Sequence, residues 1–356
     1  MEEASTNLVL PPDLLYTVLR WLPPLDLRTA VLVCRRWREV GQSPGLWTWL
    51  ALPQVTGDNM ATVVEMLGVR RLQGARTLSV REAVVSEELL EAVASHQGLR
   101  LLDVDRALLS CLDPGMLART LATLQQLWLW NSDLTCQQAE ALLAAISSRS
   151  CPMTSLHMGG NIEFSGVEPL LLARTVVHLE DIMIWGKQLT LEQAEAIFVA
   201  VCEGCKVRRL SVRFTVLSLV EPALLARALT RLESVDLANT QLGSLQLETV
   251  LTAIATENSK LRILNLGGSD LSLVSPGLLA RAVVGLEEVT LGHRRSWHHS
   301  CLAKEQVEEV LVHSLVARRL RRLDLGCVRG RVGEELVTRA RQAIHWVSLE
   351  WDGQIY

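Results

Sequence analysis

Tyrosine and phenylalanine are scarce in this sequence, with 2 and 3 copies in 356 residues, whereas tryptophan occurs 10 times. No apolar run approaches the ~18 residues of a membrane span, and the apolar stretch after the acidic start is too short for a signal-peptide core. The 35 basic and 39 acidic residues form no long basic stripe. We therefore expect a soluble intracellular protein, cytoplasmic or nuclear, that binds neither membrane nor nucleic acid.

Motifs for catalysis are also missing. The sequence contains no phosphate-binding loop ending in Gly-Lys-Ser/Thr, no nucleophile elbow and no dinucleotide fingerprint. Its 8 cysteines are spread along the chain instead of forming a disulfide framework. Cys202 and Cys205 have the spacing of a metal or redox pair but lack a second pair, so we interpret them as structural.

Four more potential metal ligands occur close together, namely His293, His298, His299 and Cys301. They fall in a stretch between predicted strands that is longer than its counterparts. A solvated loop insertion is favoured there over a metal site, because loops also concentrate recognition residues. The sequence thus predicts no enzyme activity, no cofactor and no bound metal.

The first fifty residues have apolar positions at helical spacing. They predict a helix over 12–22, a second apolar stripe over 27–38 and a third short helix around 46–50. Helix one carries more apolar residues than a unit of about 45 residues hides within itself, so it is expected to need a partner. A small bundle that only caps the rest of the chain is the alternative.

This region also resembles the F-box from end to end. The matching residues are Leu10-Pro11-Pro12-Asp13-Leu14-Leu15, Val18-Leu19, Leu22-Pro23-Pro24, Asp26-Leu27, Val33-Cys34-Arg35-Arg36-Trp37 and Leu46-Trp47. In that family the motif binds the Skp adaptor, and through it a cullin, with the leading Leu-Pro pair and the apolar face of helix one in the interface. The resemblance implies that the adaptor-binding residues are Leu10, Pro11, Leu14, Leu15, Val18 and Leu19.

The rest of the chain repeats itself in two alternating kinds of unit. A Leu-Leu-Ala-Arg phrase, or a near copy, follows a proline by a few residues at Pro114, Pro169, Pro222 and Pro276. A second kind of helix carries Gln138, Gln193, Gln246 or Gln306 near its start. Two of these predict a capping box, with Thr135 and Thr190 as the N-caps.

An apolar-x-x-apolar-x-apolar pattern predicts eleven strands, beginning at Ala75, Leu99, Leu124, Met153, Leu179, Val207, Leu232, Leu261, Leu286, Leu320 and Ile344. Most spacings alternate between about 25 and about 29 residues, which resembles ribonuclease-inhibitor-like leucine-rich repeats. The position that usually holds Asn or Cys is Ser132, Asn161, Lys187, Thr215, Thr240 or Ser269. A regular asparagine ladder is therefore not expected.

The predicted fold class is α/β, with a three-helix F-box over 1–52, a helical joint over 53–74 and a leucine-rich-repeat solenoid over 75–356. Parallel strands should line a concave side and helices a convex side. Residues between the buried strand positions should point into the concavity. The target surface predicted from them consists of Trp128, Trp130, His157, Met183, Trp185, Arg209, Ser211, Arg213 and Asp236. Alternatively, the rings only pack over neighbouring strands.

By resemblance, this combination implies the substrate receptor of an SCF-type ubiquitin ligase, which leads targets to proteasomal degradation. Such a receptor catalyses nothing and acts by proximity. The alternative is a non-catalytic scaffold whose F-box-like helices bind Skp or another partner without assembling an active ligase. An enzyme with a site in the concavity would need titratable groups at triad or metal spacing, which the sequence does not show.

Overall fold

The computed structural model describes residues 10–22, 24–53, 57–68, 72, 74–148, 150–186, 189–256, 258–292, 301–351 and 354–355. The chain divides into two compact units, 1–133 and 134–356. Helices of the first unit are α1 (Pro12–Leu19), α2 (Pro24–Ala30), α3 (Arg35–Gly41), α4 (Gly57–Gly68), α5 (Glu87–Ser95) and α6 (Pro114–Leu121). Its strands are β1 (Trp49–Pro53), β2 (Thr77–Arg81), β3 (Leu101–Asp105) and β4 (Gln126–Trp130).

The second unit continues the alternation of helix and strand. Its helices are α7 (Cys136–Ile146), α8 (Pro169–His178), α9 (Leu191–Cys202), α10 (Pro222–Leu229), α11 (Ser244–Ile254), α12 (Pro276–Val284), α13 (Lys304–Ser314) and α14 (Glu334–Ala343). Its strands are β5 (Ser155–Gly160), β6 (Asp181–Gly186), β7 (Arg209–Ser211), β8 (Ser234–Asp236), β9 (Ile263–Asn265), β10 (Glu288–Thr290), β11 (Leu302–Ala303), β12 (Arg322–Arg329), β13 (Trp346–Trp351) and β14 (Gln354–Ile355).

Three short helices open the first unit, but their bounds differ from the prediction. The predicted second stripe is split, because the chain leaves the helix after Ala30 and restarts with an extended Cys34 as the N-cap of α3. The turn lets α3 fold back onto Val31, where a Cβ on Gly41 would lie only 2.3 Å from Val31 Cγ1. The predicted third helix is a 3-10 turn at Pro44–Leu46.

Strand β1 follows that turn and was not predicted. It places Leu50 in a strand and pairs in parallel with β2, which pairs with β3, which pairs with β4. The register aligns Leu50, Leu78, Leu102 and Leu127, all buried. Each of these leucines lies in the same core layer as its neighbour. The sheet therefore begins at Trp49, before the predicted end of the F-box at residue 52.

The second unit is built around parallel strands in chain order, from β5 to β10 and then β12 and β13. Strand β11 pairs only with the end of β12, and β14 is antiparallel to β13. Across the two units all eleven predicted strands are present. Strands β1, β11 and β14 are additional, and β11 and β14 have only two residues each.

Both predicted kinds of helix are confirmed. Prolines lead α6, α8, α10 and α12, and capping boxes start α7 and α9. Buried Gln193 also joins two repeats, since its Nε2 donates to the carbonyl oxygens of Phe164 at 2.6 Å and Val167 at 2.7 Å. Gln246 and Gln306 make the equivalent pairs of bonds. The recurring glutamine thus satisfies loop carbonyls that the stacking of repeats buries.

Hydroxyl side chains occupy most of the positions that usually hold Asn or Cys in such repeats, in line with the expected lack of a regular asparagine ladder. Ser132, Thr215, Thr240 and Ser269 are buried there, whereas Asn161 is exposed. Thr240 Oγ1 donates to the carbonyl oxygen of Leu237 at 2.6 Å. Within the described ranges, no helix is long and apolar enough to cross a membrane.

Candidate protein-binding sites

Helix α1 is amphipathic, and its two faces separate the predicted adaptor-binding residues. Leu14 is 53% exposed and Val18 is 46% exposed, whereas Leu15 and Leu19 are 1% and 0% exposed. Leu10 and Pro11 precede the helix and are exposed. The prediction for Leu15 and Leu19 needs correction, because the structure buries both in the core of this segment, so that only Leu10, Pro11, Leu14 and Val18 of the predicted set are on its surface.

The core beneath α1 explains that division. Leu19 Cδ1 lies near Gly41 of α3, and the indole Nε1 of Trp47 donates to the carbonyl oxygen of Gly41 at 2.7 Å. Arg36 Nη2 donates to the carbonyl oxygen of Leu10 and so holds the chain at the start of α1. The exposed face of α1 is thereby fixed on a packed support.

Three exposed apolar residues of the F-box-like segment were missed as candidates. Trp21 is 84% exposed and continues the i, i+4, i+7 series of Leu14 and Val18, so helical spacing alone was sufficient to find it. Leu32 and Val33 are also exposed, but they reach the surface because the chain breaks between α2 and α3. We call Leu10, Leu14, Val18 and Trp21 the exposed apolar stripe.

A polar cluster lies on the second unit, on the sheet face whose side chains alternate with the buried ones, which we call the open face. Asp181 Oδ2 lies 3.2 Å from His157 Nε2 and 3.1 Å from Arg209 Nη2. Ser155 Oγ lies 3.4 Å from the same carboxylate oxygen. The predicted His157 and Arg209 are therefore brought together around Asp181, a residue that the sequence did not single out.

Ser155, His157 and Asp181 have the residue types of a hydrolase triad but not its geometry. Ser155 Oγ is 3.4 Å from His157 Nε2, the same ring nitrogen that faces Asp181. In a triad the serine and the carboxylate approach opposite ring nitrogens, so that one accepts a proton while the other orients the ring. This cluster is suited to holding the strands and presenting Arg209, not to activating Ser155.

Arg213 and Asp236 are also neighbours on this face. Arg213 Nε lies 3.7 Å from Asp236 Oδ2, which is an ion pair without hydrogen-bond distance. The other oxygen, Asp236 Oδ1, accepts a bond from the backbone N–H of Ala238 at 3.0 Å. Asn265 and Asp324 make the same local bond to residues two further along. Asp236 thus holds the turn after its strand as well as facing the open side.

Trp185 packs over its neighbouring strand. A Cβ on Gly159 would lie 2.3 Å from Trp185 Nε1, so the indole occupies the space above that glycine. On the other side, the ring of Phe214 is 6.2 Å from that of Trp185, and Arg213 lies 5.8 Å from the centre of Phe214. Phe214 has φ of +60°, which is uncommon for a bulky residue. Tertiary packing therefore holds an exposed ring beside Trp185 that the strand pattern did not indicate.

The open face contains a groove of about 420 Å³ that extends from β5 to β12. Its polar and apolar lining on this face includes His157, Met183, Arg209, Ser211, Asp236, Ile263, Asn265, Glu288, Thr290 and Arg322. Ser211 is buried, and its Oγ has no hydrogen-bond partner within the described part of the chain. The groove therefore continues beyond the predicted residues toward Arg322, which stacks on Trp346 at 4.4 Å.

Trp128 and Trp130 belong to the first unit. They are half-buried on β4, opposite Asp103 and Asp105 of β3 in the strand register. Their side chains alternate with fully buried Leu127 and Leu129, as predicted. Their proposed role in target binding is thus compatible with their position on β4.

Of the residues considered as potential metal ligands, the structure describes Cys202, Cys205 and Cys301. Burial raises the pKa of the Cys202 and Cys205 thiols, which disfavours the thiolate that binds metal. His293, His298 and His299, where a loop was favoured over a metal site, lie outside the described residues. Among the residues that are described, no group of three or more His, Cys, Asp or Glu side chains is arranged to hold a metal ion.

Comparison with known proteins identifies a family for the first part of the chain only. The model of the F-box-like family matches residues 8–53. No curated protein matches significantly. Among solved structures, the leucine-rich repeat-containing protein LegL7 from Legionella pneumophila has a TM-score of 0.48 and 17% identity, covering 86% of this chain and 92% of that one. Human 5T4 (Wnt-activated inhibitory factor 1, trophoblast glycoprotein) has a TM-score of 0.40 and 15% identity, covering 77% and 86%.

These structural likenesses are too low to carry an argument about function. The fold assignment rests on the repeats of this chain, namely the parallel strands in chain order, each linked to the next by a helix or loop of recurring pattern. The first part rests on the family match and on the three short helices that it covers. The chain therefore joins an F-box-like segment to leucine-rich repeats, an architecture typical of non-catalytic protein-interaction adaptors.

Proposed function

We propose that the protein is the substrate-recognition subunit of an SCF-type ubiquitin ligase, acting in the cytoplasm or nucleus. The observation that carries this proposal is the exposed apolar stripe on the F-box-like segment. Leu14 and Val18 share one face of α1, with Leu10 just before the helix and Trp21 just after it, and large apolar side chains that remain in water favour burial against a partner. The F-box-like match supports a Skp-type adaptor as that partner.

The second half of the proposal concerns the target. The groove on the open face combines an accessible cation at Arg209 with Met183 and Ile263 as apolar contacts. Asp181 and His157 fix the position of Arg209, so less side-chain freedom is lost when a target binds. We assign the target to this groove, with Trp185 and Phe214 at its rim. Trp128 and Trp130 remain proposed contacts on the first unit.

The mechanism is proximity. An adaptor-bound receptor holds a target lysine near a ubiquitin-charged enzyme that belongs to other subunits, which raises the effective concentration of the reacting groups. No proton transfer or bond cleavage is assigned to this chain. It contributes two binding surfaces, the exposed apolar stripe for the adaptor and the groove for the target.

The test is capture of purified Skp adaptor by the full chain, comparing wild type with Leu14→Ala/Val18→Ala. Both residues are exposed, so the pair should fold normally and lose tenfold or more in adaptor affinity, about 1.4 kcal/mol or more. Leu273→Ala, which removes a still more exposed leucine from the second unit, is the control. Undiminished capture by the double variant would overturn the adaptor assignment.

A second measurement separates a ligase receptor from a scaffold. Wild-type protein recovered with both the adaptor and a cullin, and able to direct ubiquitin onto a co-purified target, supports the receptor. Recovery of the adaptor without a cullin, or of neither, supports the non-catalytic scaffold. The double variant serves as the negative control for both measurements.

A further inference from the structure

Two cysteines distant in sequence meet at the end of the second unit. Cys301 Sγ lies 2.6 Å from Cys327 Sγ. Both side chains are partly exposed, and neither is in a disulfide. Cys301 stands near three histidines in the sequence, whereas its contact in the structure is with a residue 26 positions away in the chain.

Strand pairing accounts for this meeting. Leu302 of β11 is aligned with Val328 of β12, and both side chains are buried. Because side chains alternate along strands, the residues just before them, Cys301 and Cys327, point together toward the opposite side. Neighbouring strands lie about 4.8 Å apart, which is within the Cα separation of about 4.4–6.8 Å that a disulfide spans. The backbone therefore already holds the two residues at bridging distance.

We propose that Cys301 and Cys327 form a redox modification site whose oxidant is a small disulfide such as oxidised glutathione. The Cys301 thiol loses its proton, and its sulfur attacks one sulfur of the oxidant. The oxidant's S–S bond breaks, and one glutathione thiolate leaves and takes up a proton. The Cys327 thiolate then attacks the Cys301 sulfur and releases the second glutathione. Two protein thiols lose two electrons and two protons, which the oxidant gains as two thiols.

The bridge would change the end of the repeat array. It would tie β11 to β12 and close a loop that contains α13, and closing such a loop restricts the unfolded chain. Strand β12 also carries Arg322, which lines the groove. Oxidation should therefore suppress local opening of α13 and β12, whether or not the groove binds a ligase target.

The experiment equilibrates the purified full chain with mixtures of reduced and oxidised glutathione, then blocks free thiols and maps disulfides by mass spectrometry. We expect a Cys301–Cys327 crosslink in oxidising mixtures, reversible on reduction. Cys202 and Cys205 are the internal control and should stay unlinked. Amide hydrogen exchange in α13 and β12 should slow about tenfold or more in the oxidised protein.

Cys327→Ser provides the matched variant. It removes the second nucleophile, so Cys301 should accumulate as a mixed disulfide with glutathione, and the slowing of hydrogen exchange should disappear. The wild-type crosslink is decisive even if this variant folds poorly. A wild-type protein whose Cys301 stays reduced, carries only glutathione or bridges to another cysteine would overturn the proposal. So would stoichiometric zinc that blocks oxidation of the pair.

Discussion

The indole of Trp185 lies over Gly159 so closely that a methyl group on that glycine would be 2.3 Å from Trp185 Nε1. The two residues are partners in the register of β5 and β6. The Trp185 ring thus occupies the space on the open face that a side chain at residue 159 would otherwise fill. The position of the Trp185 ring on the open face therefore depends on residue 159 having no side chain.

Replacing Gly159 with alanine should therefore displace Trp185. We expect Gly159→Ala to lower the free energy of unfolding by about 1–3 kcal/mol, the range for overpacking, as measured by urea denaturation. Trp185→Ala in the same chain should recover part of this loss. Gly285→Ala is the control, since a Cβ there meets no atom within 4 Å. Equal effects of the two glycine variants would contradict the close contact.

The two faces of α1 should respond differently to truncation. Leu15→Ala removes a fully buried side chain and should cost about 2–5 kcal/mol of stability through cavity formation. Leu14→Ala removes an exposed side chain and should change stability by no more than about 0.5 kcal/mol. Thermal or urea unfolding of both variants measures the difference. Similar losses for the two would show that α1 does not present the face assigned to it.

Gln193 should be essential for stability although it is polar. In Gln193→Met, the carbonyl oxygens of Phe164 and Val167 lose their donor in a buried setting. We expect a loss of about 2–4 kcal/mol from those unsatisfied groups in urea unfolding. Exposed Gln137→Met should stay within about 0.5 kcal/mol of wild type. A neutral Gln193→Met would mean that the repeats do not depend on this bond.

Arg208 and Arg209 provide a matched pair for the target groove. Both side chains are 64% exposed, but Arg209 pairs with Asp181 in the groove and Arg208 pairs with Glu233 outside it. Arg209→Gln should reduce capture of a target identified with wild type, while Arg208→Gln should not. Neither should change stability by more than about 1 kcal/mol, since both arginine side chains are mostly in water. Equal capture by both variants would exclude Arg209 from the target site.

Cys205 and Cys111 should react with a thiol reagent at rates that differ in their pH dependence. Burial raises the pKa of Cys205, so less thiolate is present at pH 8 than in an unfolded chain. We expect iodoacetamide to label Cys205 more slowly than exposed Cys111, with the difference narrowing as pH rises. The same shift contributes stability that is complete below the unfolded pKa and is lost as pH rises through the folded pKa. Peptide mass spectrometry after timed labelling measures the rates.

Much of this protein was determined by local sequence pattern. Apolar residues spaced for strands, prolines at helix starts and glutamines in capping boxes predicted eleven strands and two kinds of helix, and these are all present. These patterns are reliable because each repeat packs against the next in the same core layer, so the same residue types recur at the same positions in every copy. The F-box-like segment was also predicted from its sequence, because its motif residues lie close together along the chain and form one small helical unit.

Tertiary structure alone decided which of those residues are available to a partner. Leu14 and Leu15 are adjacent and chemically identical, yet packing of α1 on α3 buries one and leaves the other in water. Asp181 became the centre of a polar cluster, and Phe214 took its place beside Trp185, through contacts between strands. Cys301 met Cys327 through strand register. Burial and contact between distant residues arise from packing, whereas periodic sequence patterns determine only the elements that pack.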